Sequence, residues 1–283
     1  MDTLVSTDWL ARELDSRDLR IIDATRHHFE PQRDPKAEYL AAHIPGALFL
    51  DMTALVDRSA PIDNTLPTAA QFTQAMQALG LDRGQRIVIY DDSVVKTAGR
   101  AWFMFEMFGL GPVAVLDGGL AKWKAENRPL QGGLVSSEPS RFIASADGTR
   151  LRTKQDVLAN LESRAARHVD GRGEGHFQGT QADPNPAVAP RHIPGSVNVP
   201  FRDLFNPDGT YKSKTELQTL FDRAGIDLRK PVTASCGGGV VACSLILAMR
   251  LAGKQDAALY DGSWTEWGAD PALPKATGPA GPA

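Results

Sequence analysis

The sequence predicts an α/β protein that contains two copies of one module, each built on a parallel β-sheet covered by helices. Short β-rich apolar segments alternate with helical segments along the chain, as is typical of parallel sheets that are buried on both faces. Two motifs also occur twice, in the same order and at nearly the same offset. The chain has 283 residues, which is enough for two domains of ordinary size.

The two repeated motifs define the module. HIPGA begins at His43 and recurs as HIPGS from His192. LDGGLAKW ends at Trp123 and recurs as YDGSWTEW, which ends at Trp267. A shared order and offset indicate duplication of a whole structural unit.

Composition between and after the copies predicts the domain boundaries. The segment 129–150 is rich in Gly, Ser and Pro, as connecting segments are, and the last residues contain closely spaced Pro and Gly. We therefore expect an N-terminal domain over 1–128, a linker over 129–150, a C-terminal domain over 151–272 and a flexible tail over 273–283.

The elements of the two copies correspond in order. The predicted strands of the first copy are Leu19–Thr25, Arg86–Asp92 and Pro112–Gly118, and RHVDGR, KPVTASC and AALYDG take their places in the second. Helical segments lie between them, for example over Thr68–Gly80 and Ala98–Gly109. Strands of this length that alternate with helices favour a parallel sheet.

Composition excludes several classes of function. A net charge of −3 provides no electrostatic basis for binding nucleic acid or an anionic membrane surface, and no apolar run is long enough to predict a membrane span. The N-terminal segment predicts a first helix capped by Ser6 or Thr7, not a signal peptide. Two cysteines are too few for a disulfide framework, so we expect a reducing, cytoplasmic setting.

The segment Cys236–Val241 carries the strongest chemical signal. Cys236 follows an apolar strand, and Gly237–Gly239 separate it from a helical run over Val240–Gly253. Ligands of open α/β sheets bind beyond the carboxyl ends of the strands, where glycines let backbone N–H groups converge on an anion. The helix dipole also favours a thiolate over a thiol. We therefore expect a lowered pKa for Cys236 and a role for it as a nucleophile.

A structural role for this cysteine is the alternative interpretation. A single cysteine after an apolar strand can be a small buried hydrophobic residue, but a packed core does not need three adjacent glycines. Cys243 falls within the helical run and is expected to pack in the core. Aligning the two copies places Asp91 opposite Cys236 without a glycine cradle, which predicts that the first copy is non-catalytic.

The HIPGA/HIPGS pair, the LDGG-x3-W signature and the C-G-x-G-V loop together resemble the two-domain sulfurtransferases of the rhodanese family. The resemblance extends over about residues 1–272. It implies tandem rhodanese-like domains, each a mostly parallel five-stranded sheet flanked by helices. The N-terminal domain would be non-catalytic and the C-terminal domain catalytic.

The resemblance also implies a reaction. Cys236 would take a sulfane sulfur from a small anionic donor, 3-mercaptopyruvate or thiosulfate, and hold it as a persulfide. A thiol, cyanide or a redox protein would then accept the sulfur. The family needs no metal and no organic cofactor. The backbone around the sulfur would form the anion cradle, which consists of Gly237, Gly238, Gly239, Val240 and Val241.

Two loop residues depart from the family pattern. Gly237 and Gly239 match the mercaptopyruvate-type loop, whereas animal thiosulfate-type enzymes carry basic side chains just after the cysteine. Gly238 stands where a Ser or Thr is expected, and Val241 stands where a Thr is expected. The loop thus lacks a hydroxyl that is thought to help move protons at the cysteine.

The substrate-binding residues also differ. The family's first substrate-site arginine corresponds to Arg172, but the two arginines that hold the substrate carboxylate fall on His176 and Asn185. Loss of a bidentate guanidinium contact is not a conservative change. Arg172 and Arg191 are candidates to compensate, and His176 is a candidate substrate contact because of its position in the alignment.

The remaining candidate residues have competing interpretations. Asp34 matches an acidic residue near the family's active-site rim, or it belongs to a solvated turn. His43 and His192 begin Pro-Gly turns and are expected to bond local backbone. Trp123 and Trp267 follow helical spacing and are expected to be core residues.

Two other functions remain to be weighed. A non-catalytic binding module is the main alternative, because rhodanese-like domains can lose activity and this chain lacks the expected hydroxyl and arginines. Dual-specificity phosphatases share the module, but they need an arginine six residues after the cysteine. That position is Ala242, and the loop is one residue shorter than phosphate requires. The sequence therefore argues against a phosphatase.

Overall fold

The chain forms two compact units in a computed structural model that describes residues 1–183 and 188–279. Each unit consists mainly of one sequence copy, together with a short segment of the other copy. Unit 1 comprises Met1–Asp57, Leu66–Asp147 and Asn206–Tyr211, and unit 2 comprises Arg58–Thr65, Gly148–Phe205 and the described residues from Lys212 onward.

Unit 1 contains a five-stranded parallel sheet with the strand order β1-β5-β4-β2-β3. The three strands predicted from its sequence are confirmed, and each ends slightly earlier than expected. The central strands are apolar and almost entirely buried, as a sheet covered on both faces requires. The strands are β1 (Leu4–Val5), β2 (Leu19–Asp23), β3 (Leu48–Phe49), β4 (Arg86–Tyr90) and β5 (Val113–Leu116).

Helices flank this sheet, and their first residues follow capping rules. Ser6, one of the two predicted caps, accepts a hydrogen bond from the Trp9 N–H. Thr68 and Gln71 form a capping box. The helices are α1 (Thr7–Glu13), α2 (Pro35–Ala41), α3 (Ala69–Ala78), α4 (Thr97–Met107) and α5 (Gly119–Ala125).

Unit 2 repeats the architecture with the parallel strand order β6-β10-β9-β7-β8. The predicted fold class, tandem α/β units with five-stranded sheets flanked by helices, is therefore confirmed. Its strands are β6 (Leu151–Arg152), β7 (Arg167–Asp170), β8 (Val197–Asn198), β9 (Val232–Ser235) and β10 (Ala258–Tyr260). Its helices are α6 (Lys154–Ser163), α7 (Glu174–Gln178), α8 (Lys214–Arg223), α9 (Val240–Ala252) and α10 (Ser263–Ala269).

The repeated tryptophans are core residues in both units, as predicted. Trp123 and Trp267 are both 0% exposed. Each indole N–H donates to a backbone carbonyl six or seven residues later, of Pro129 and Pro274 respectively, at 2.8 Å. A buried indole needs such an acceptor, so these bonds tie the chain after each last helix to its own core.

The two HIPG turns also have equivalent structures. The His43 Nδ1 donates to the Tyr39 carbonyl at 2.7 Å and its ring stacks on the Tyr39 ring. The His192 Nδ1 donates to the Phe177 carbonyl at 2.8 Å and stacks on the Phe177 ring. His43 thus bonds local backbone as predicted, whereas the backbone partner of His192 lies 15 residues earlier, in α7.

The predicted linker and tail are more ordered than their composition indicated. Most of the linker 129–150 belongs to unit 1, where Gln131 pairs with His43 in an antiparallel bridge. In the tail 273–283, Ala276 pairs with His192 in the same way, so its described part is not a loose end. Both segments are held because each supplies the backbone partner of a HIPG histidine.

A segment of the second copy completes unit 1. The Tyr211 N–H donates to Asp117 Oδ1 at 2.8 Å, and Asp208 pairs with Lys122 at 3.2 Å. Desolvation by burial raises the pKa of Asp117 to about 6, although the Tyr211 N–H opposes that shift. The Asp117 carboxylate therefore accepts the hydrogen bond that holds the segment Asn206–Tyr211, but its burial disfavours the charged form.

We expect Asp117→Asn to be at least as stable as the parent chain at pH 7. The folded-state pKa of Asp117 lies above its ordinary value of 3.8, so folding takes up a proton between these values. Stability should therefore rise as the pH falls through about 6, and the Asn variant should lose this dependence. Thermal unfolding from pH 4.5 to 7.5 measures both effects.

Asp117→Ala provides the control. It removes the carboxylate and also leaves the Tyr211 N–H without its acceptor, which should cost about 1–3 kcal/mol. If the Asn variant is destabilised as much as the Ala variant at pH 7, the carboxylate charge is needed and our interpretation is wrong.

Candidate active site

Cys236 lies at the carboxyl edge of the sheet of unit 2, directly after β9. This strand is the central one, between β10 and β7. Only 2% of Cys236 is exposed, so its thiol is shielded from bulk water. The position is the one where open parallel sheets bind ligands.

The loop after Cys236 leads directly into α9. Among the described residues, no side chain caps this helix, and its cap residue is Gly239 with φ of 77°. A left-handed backbone there favours glycine. Gly237 and Gly238 do not adopt positive φ, so only one glycine of the three is needed for its conformation. The other two keep the surface of the loop free of side chains.

The N-terminus of α10 holds the carbonyl groups of the loop. The Trp264 N–H donates to the Cys236 carbonyl at 3.0 Å. The Gly237 carbonyl accepts from both the N–H and the Oγ1 of Thr265, each at 2.8 Å. Because the C=O and N–H of a trans peptide point in opposite directions, the N–H groups of Gly237 and Gly238 point away from α10. This orientation leaves the predicted cradle lined with N–H donors.

Ser263 supports the same loop and was not identified from the sequence. Its Oγ accepts from the Cys236 N–H at 3.1 Å and donates to the Tyr260 carbonyl at 2.8 Å, with the whole residue buried. Its φ is 51°, a region that few side chains adopt without strain. The sequence signal that could have identified Ser263 is its position in the second copy, where it replaces the second Gly of the LDGG motif.

The corresponding loop of unit 1 is occupied by its own carboxylate. Asp91 follows β4 as Cys236 follows β9, and its Oδ2 accepts from the backbone N–H groups of Ser93 at 3.3 Å and Thr97 at 2.7 Å. The Ser93 hydroxyl also donates to this oxygen. The loop of the first copy therefore places an anion at the N-terminus of α4.

Arg172 is engaged in structural contacts. Its Nε and Nη2 bond the carboxylate of Asp170 at 2.6–3.1 Å, and its Nη2 also donates to the Arg191 carbonyl at 2.8 Å. The guanidinium lies 4.6 Å from the ring centroid of Trp264, a favourable cation–π distance. Its Nη1 is buried and has no partner among the described residues. Arg172 thus supports Trp264, whose N–H holds the Cys236 carbonyl.

The other predicted substrate contacts have varied environments. Asp34 caps α2 by accepting from the N–H groups of Lys36 and Ala37, which supports its interpretation as a turn residue. His176 is half-buried in α7, and its Nδ1 has no partner within the described chain. Arg191 is exposed. Asn185 lies outside the described residues.

Asn64 is a further residue near the cradle that the sequence did not indicate. It belongs to the first copy in sequence but to unit 2 in structure. Its Nδ2 is 3.9 Å from the position that a Cβ at Gly238 would take, and Thr265 Oγ1 is 3.7 Å from it. Asn64 has φ of 64°, which Asn tolerates better than most residues. Two polar groups therefore lie close to the position of the missing hydroxyl.

Neither a metal site nor a membrane-spanning helix occurs among the described residues. No three or more His, Cys, Asp and Glu side chains in that part of the chain come together as a metal site. None of its helices combines the length and the apolar character needed to cross a bilayer.

Comparison with known proteins gives a consistent result. Residues 6–126 and 153–270 each match the family described as Rhodanese-like domain. The chain is 42% identical to rat 3-mercaptopyruvate sulfurtransferase over 93% of its length and 91% of the relative. It is 39% identical to bovine thiosulfate sulfurtransferase with the same coverage. The 3-mercaptopyruvate sulfotransferase SseA of Escherichia coli superposes with a TM-score of 0.84 at 34% identity, covering 93% of this chain and 99% of SseA.

Ser263→Ala and Ser263→Gly separate the two roles of this residue. Both variants remove the acceptor of the Cys236 N–H, so both should slow alkylation of Cys236 by iodoacetamide to a similar degree. Gly adopts a positive φ without strain, so the free energy of unfolding of the Gly variant should be about 1–2 kcal/mol higher than that of the Ala variant.

Mass spectrometry of the Cys236 peptide and thermal unfolding provide the two measurements. Unchanged alkylation in both variants would mean that the hydroxyl does not position Cys236.

Proposed function

The chain belongs to the rhodanese family and is a sulfurtransferase, and we propose that Cys236 carries the transferred sulfur as a persulfide. The observation that carries this proposal is the loop Cys236–Val241, which follows the central strand of unit 2 and leads into α9. The carbonyls of Cys236 and Gly237 are bound to α10, so the N–H groups of Gly237 and Gly238 point away from α10. Such a loop favours negative charge on the sulfur.

The reaction requires one new sulfur–sulfur bond and no redox cofactor. The Cys236 thiolate attacks the sulfur atom that is transferred, which is the outer sulfur of thiosulfate or the single sulfur of 3-mercaptopyruvate. The bond between this sulfur and the rest of the donor breaks, and its electron pair leaves with the rest of the donor. From 3-mercaptopyruvate the leaving group is the enolate of pyruvate, which takes up a proton. From thiosulfate the leaving group is sulfite. A thiol, cyanide or a redox protein then attacks the outer sulfur and regenerates Cys236.

The cradle is expected to act in both halves of this cycle. Backbone N–H groups around Gly237–Val241 would stabilise negative charge on the outer sulfur of the persulfide intermediate and of the transition states that lead to and from it. The cradle is fixed before the donor arrives, because α10 already holds the carbonyls of Cys236 and Gly237. Fixed dipoles of this kind contribute to catalysis because they do not need to reorient during the reaction.

We propose 3-mercaptopyruvate as the preferred donor and thiosulfate as a weaker one. The side chains of Gly237–Val241 contain no cation that would bind a second anionic group such as a sulfonate. His176 and Arg191, together with Asn185, are the candidates for binding the carboxylate of the donor. The Nη1 group of Arg172 carries two N–H donors that its contacts with Asp170 and Arg191 do not use.

The N-terminal copy is proposed to be structural. Asp91 occupies the position of the nucleophile and engages the backbone N–H groups of Ser93 and Thr97. A carboxylate that is already bound to its own loop leaves no place for a donor anion. We also propose a cytoplasmic, reducing location, because Cys236 and Cys243 are both free thiols.

An inactive binding module is the alternative, and an assay of sulfur loading separates the two. The folded protein is treated with 3-mercaptopyruvate or with thiosulfate, and cyanolysable sulfur is then measured. The proposal requires loading from at least one donor, with faster loading from 3-mercaptopyruvate. Absence of loading from both donors, in a folded protein with an intact Cys236, would exclude the catalytic function.

We expect Cys236→Ser to abolish sulfur loading and Cys243→Ser to leave it largely unchanged. Cys243 is 0% exposed, and its Sγ donates to the Gly239 carbonyl at 3.3 Å, a contact that a serine hydroxyl can replace. Each variant therefore removes one sulfur atom, but only Cys236→Ser removes the proposed nucleophile. Loading retained in Cys236→Ser, with the persulfide mapped elsewhere, would refute the assignment.

We expect Asn64→Asp to lower kcat/KM for sulfur loading by about tenfold or more, which corresponds to roughly 1.4 kcal/mol. A carboxylate beside Gly238 would repel the donor anion and the thiolate. Asp adopts the left-handed conformation of Asn64 nearly as readily, so the backbone should be preserved. Steady-state kinetics at two ionic strengths measure the effect.

Asn64→Gly is the matched control. It keeps the backbone conformation and adds no charge, so it should lose less activity than Asn64→Asp. Equal loss in the two variants would mean that charge at this position is irrelevant.

A further inference from the structure

A cavity of about 450 Å³ opens at the amino edge of the sheet of unit 2, opposite the edge that carries Cys236. Its volume is in the range of small-molecule sites. The lining comes from α6, the start of β7, the HIPG turn and the loop after α8. Val157, Leu161 and Ile193 form its apolar wall.

Three basic residues line this cavity without an ion pair. Arg164, Arg167 and Lys230 form no salt bridge among the described residues. The acidic residue of the lining, Asp227, is bound by the Nε and Nη2 of Arg229, each at 2.9 Å. The Arg229 hydrogen bonds, and to a smaller extent the charge of Lys230, lower the pKa of Asp227 to about 2, and the Arg229 guanidinium offsets the negative charge of this carboxylate. The cavity therefore presents an excess of positive charge.

Two buried nitrogens of the lining residues also have no partner in the described part of the chain. His168 is 4% exposed, its Nε2 lies 2.7 Å from Ser235 Oγ, and its Nδ1 has no hydrogen-bond partner. The Nε of Arg167 is buried without a partner as well. Buried polar atoms are normally satisfied, so two such nitrogens at one cavity require an explanation.

The first copy differs at the same edge of its sheet. Ile87 and Val232 are equivalent positions, since each lies four residues before the aligned pair Asp91 and Cys236. Ile87 pairs with Arg20 and Val232 pairs with Arg167, so Arg20 and Arg167 are equivalent as well. The residue after each arginine is Ile21 in the first copy, a buried apolar core residue, and His168 in the second.

Charge at this edge is paired in unit 1. Arg86 binds Asp18 at 2.7 Å and Glu13 at 2.8 Å. Counting from the N-caps Ser6 and Thr153, the position of Glu13 corresponds to Asn160 in α6. The second copy therefore has an amide where the first has a carboxylate, and its cations remain unpaired. The fold of the module does not require this open, basic edge.

We propose that this cavity is a binding site for a small carboxylate with a compact apolar body, separate from the Cys236 loop. The carboxylate would pair with Arg167, Arg164 and Lys230, and a guanidinium can hold it in a bidentate manner. The apolar body would cover Val157, Leu161 and Ile193. His168 Nδ1 would hydrogen-bond to the carboxylate, directly as a donor or through a water.

Hexanoate is a suitable probe, and hexan-1-ol is its uncharged counterpart. Isothermal titration calorimetry with the full chain should give a Kd for hexanoate of about 1 mM or below, and at least roughly tenfold weaker binding of the alcohol. Arg167→Gln and Lys230→Gln should each weaken hexanoate binding several-fold. Arg202→Gln removes a cation that does not line the cavity and should leave the affinity unchanged.

The variant Cys236→Ser distinguishes this site from the active site. Hexanoate should bind Cys236→Ser with unchanged affinity, and this result holds whether or not the chain transfers sulfur. Binding that is lost in Cys236→Ser, or that is insensitive to Arg167→Gln and Lys230→Gln, would overturn the proposal. Equal affinities for hexanoate and hexan-1-ol, or no binding of hexanoate at about 10 mM, would overturn it as well.

Discussion

The geometry of both units depends on one backbone hydrogen bond at the carboxyl end of the central strand. In unit 2 the Trp264 N–H donates to the Cys236 carbonyl, and in unit 1 the Leu120 N–H donates to the Asp91 carbonyl, each at 3.0 Å. The residue before each donor has a positive φ, 51° in unit 2 and 60° in unit 1. The repeated Asp-Gly motif supplies this turn. Because the carbonyl is held on one side, the following peptide N–H points to the other side, where an anion can bind.

The two copies use this shared loop differently. In unit 1 the residue after the strand is an acid, and Asp91 fills the loop with its own carboxylate. In unit 2 the same position is Cys236, the loop reaches its helix two residues earlier, and glycines leave the cradle without side chains. A carboxylate that is bound intramolecularly stabilises the fold, whereas the proposed thiolate in the same place would be able to react. Under the proposed function, the difference between a structural and a catalytic copy would depend mainly on one side chain and on loop length.

Local sequence signals predicted the strands, the Ser6 cap and the bond of His43 to the backbone of Tyr39, because each depends on near neighbours in sequence. The engagement of Arg172 by Asp170 and Trp264 was not predictable, since a motif position does not reveal which side chains will surround it. Asn64 was missed for a stronger reason: it enters unit 2 from the other copy, and periodicity carries no information on such an exchange. The linker was misjudged because its Gly and Pro content does not show that its backbone pairs with a HIPG turn.

The two copies differ at both edges of their sheets. In unit 1, Asp91 bonds its own loop at the carboxyl edge, and at the amino edge Ile21 is buried and Arg86 pairs with Asp18 and Glu13. The Asp91 bonds satisfy buried polar groups and Ile21 adds apolar packing, so both contribute to stability. At the amino edge of the second copy, a His168 nitrogen is buried without a partner among the described residues. A module that leaves polar groups unsatisfied loses stability, and such sites persist where a ligand supplies the missing partners. At the amino edge of unit 2, the proposed carboxylate would supply the partners that Arg167 and His168 lack.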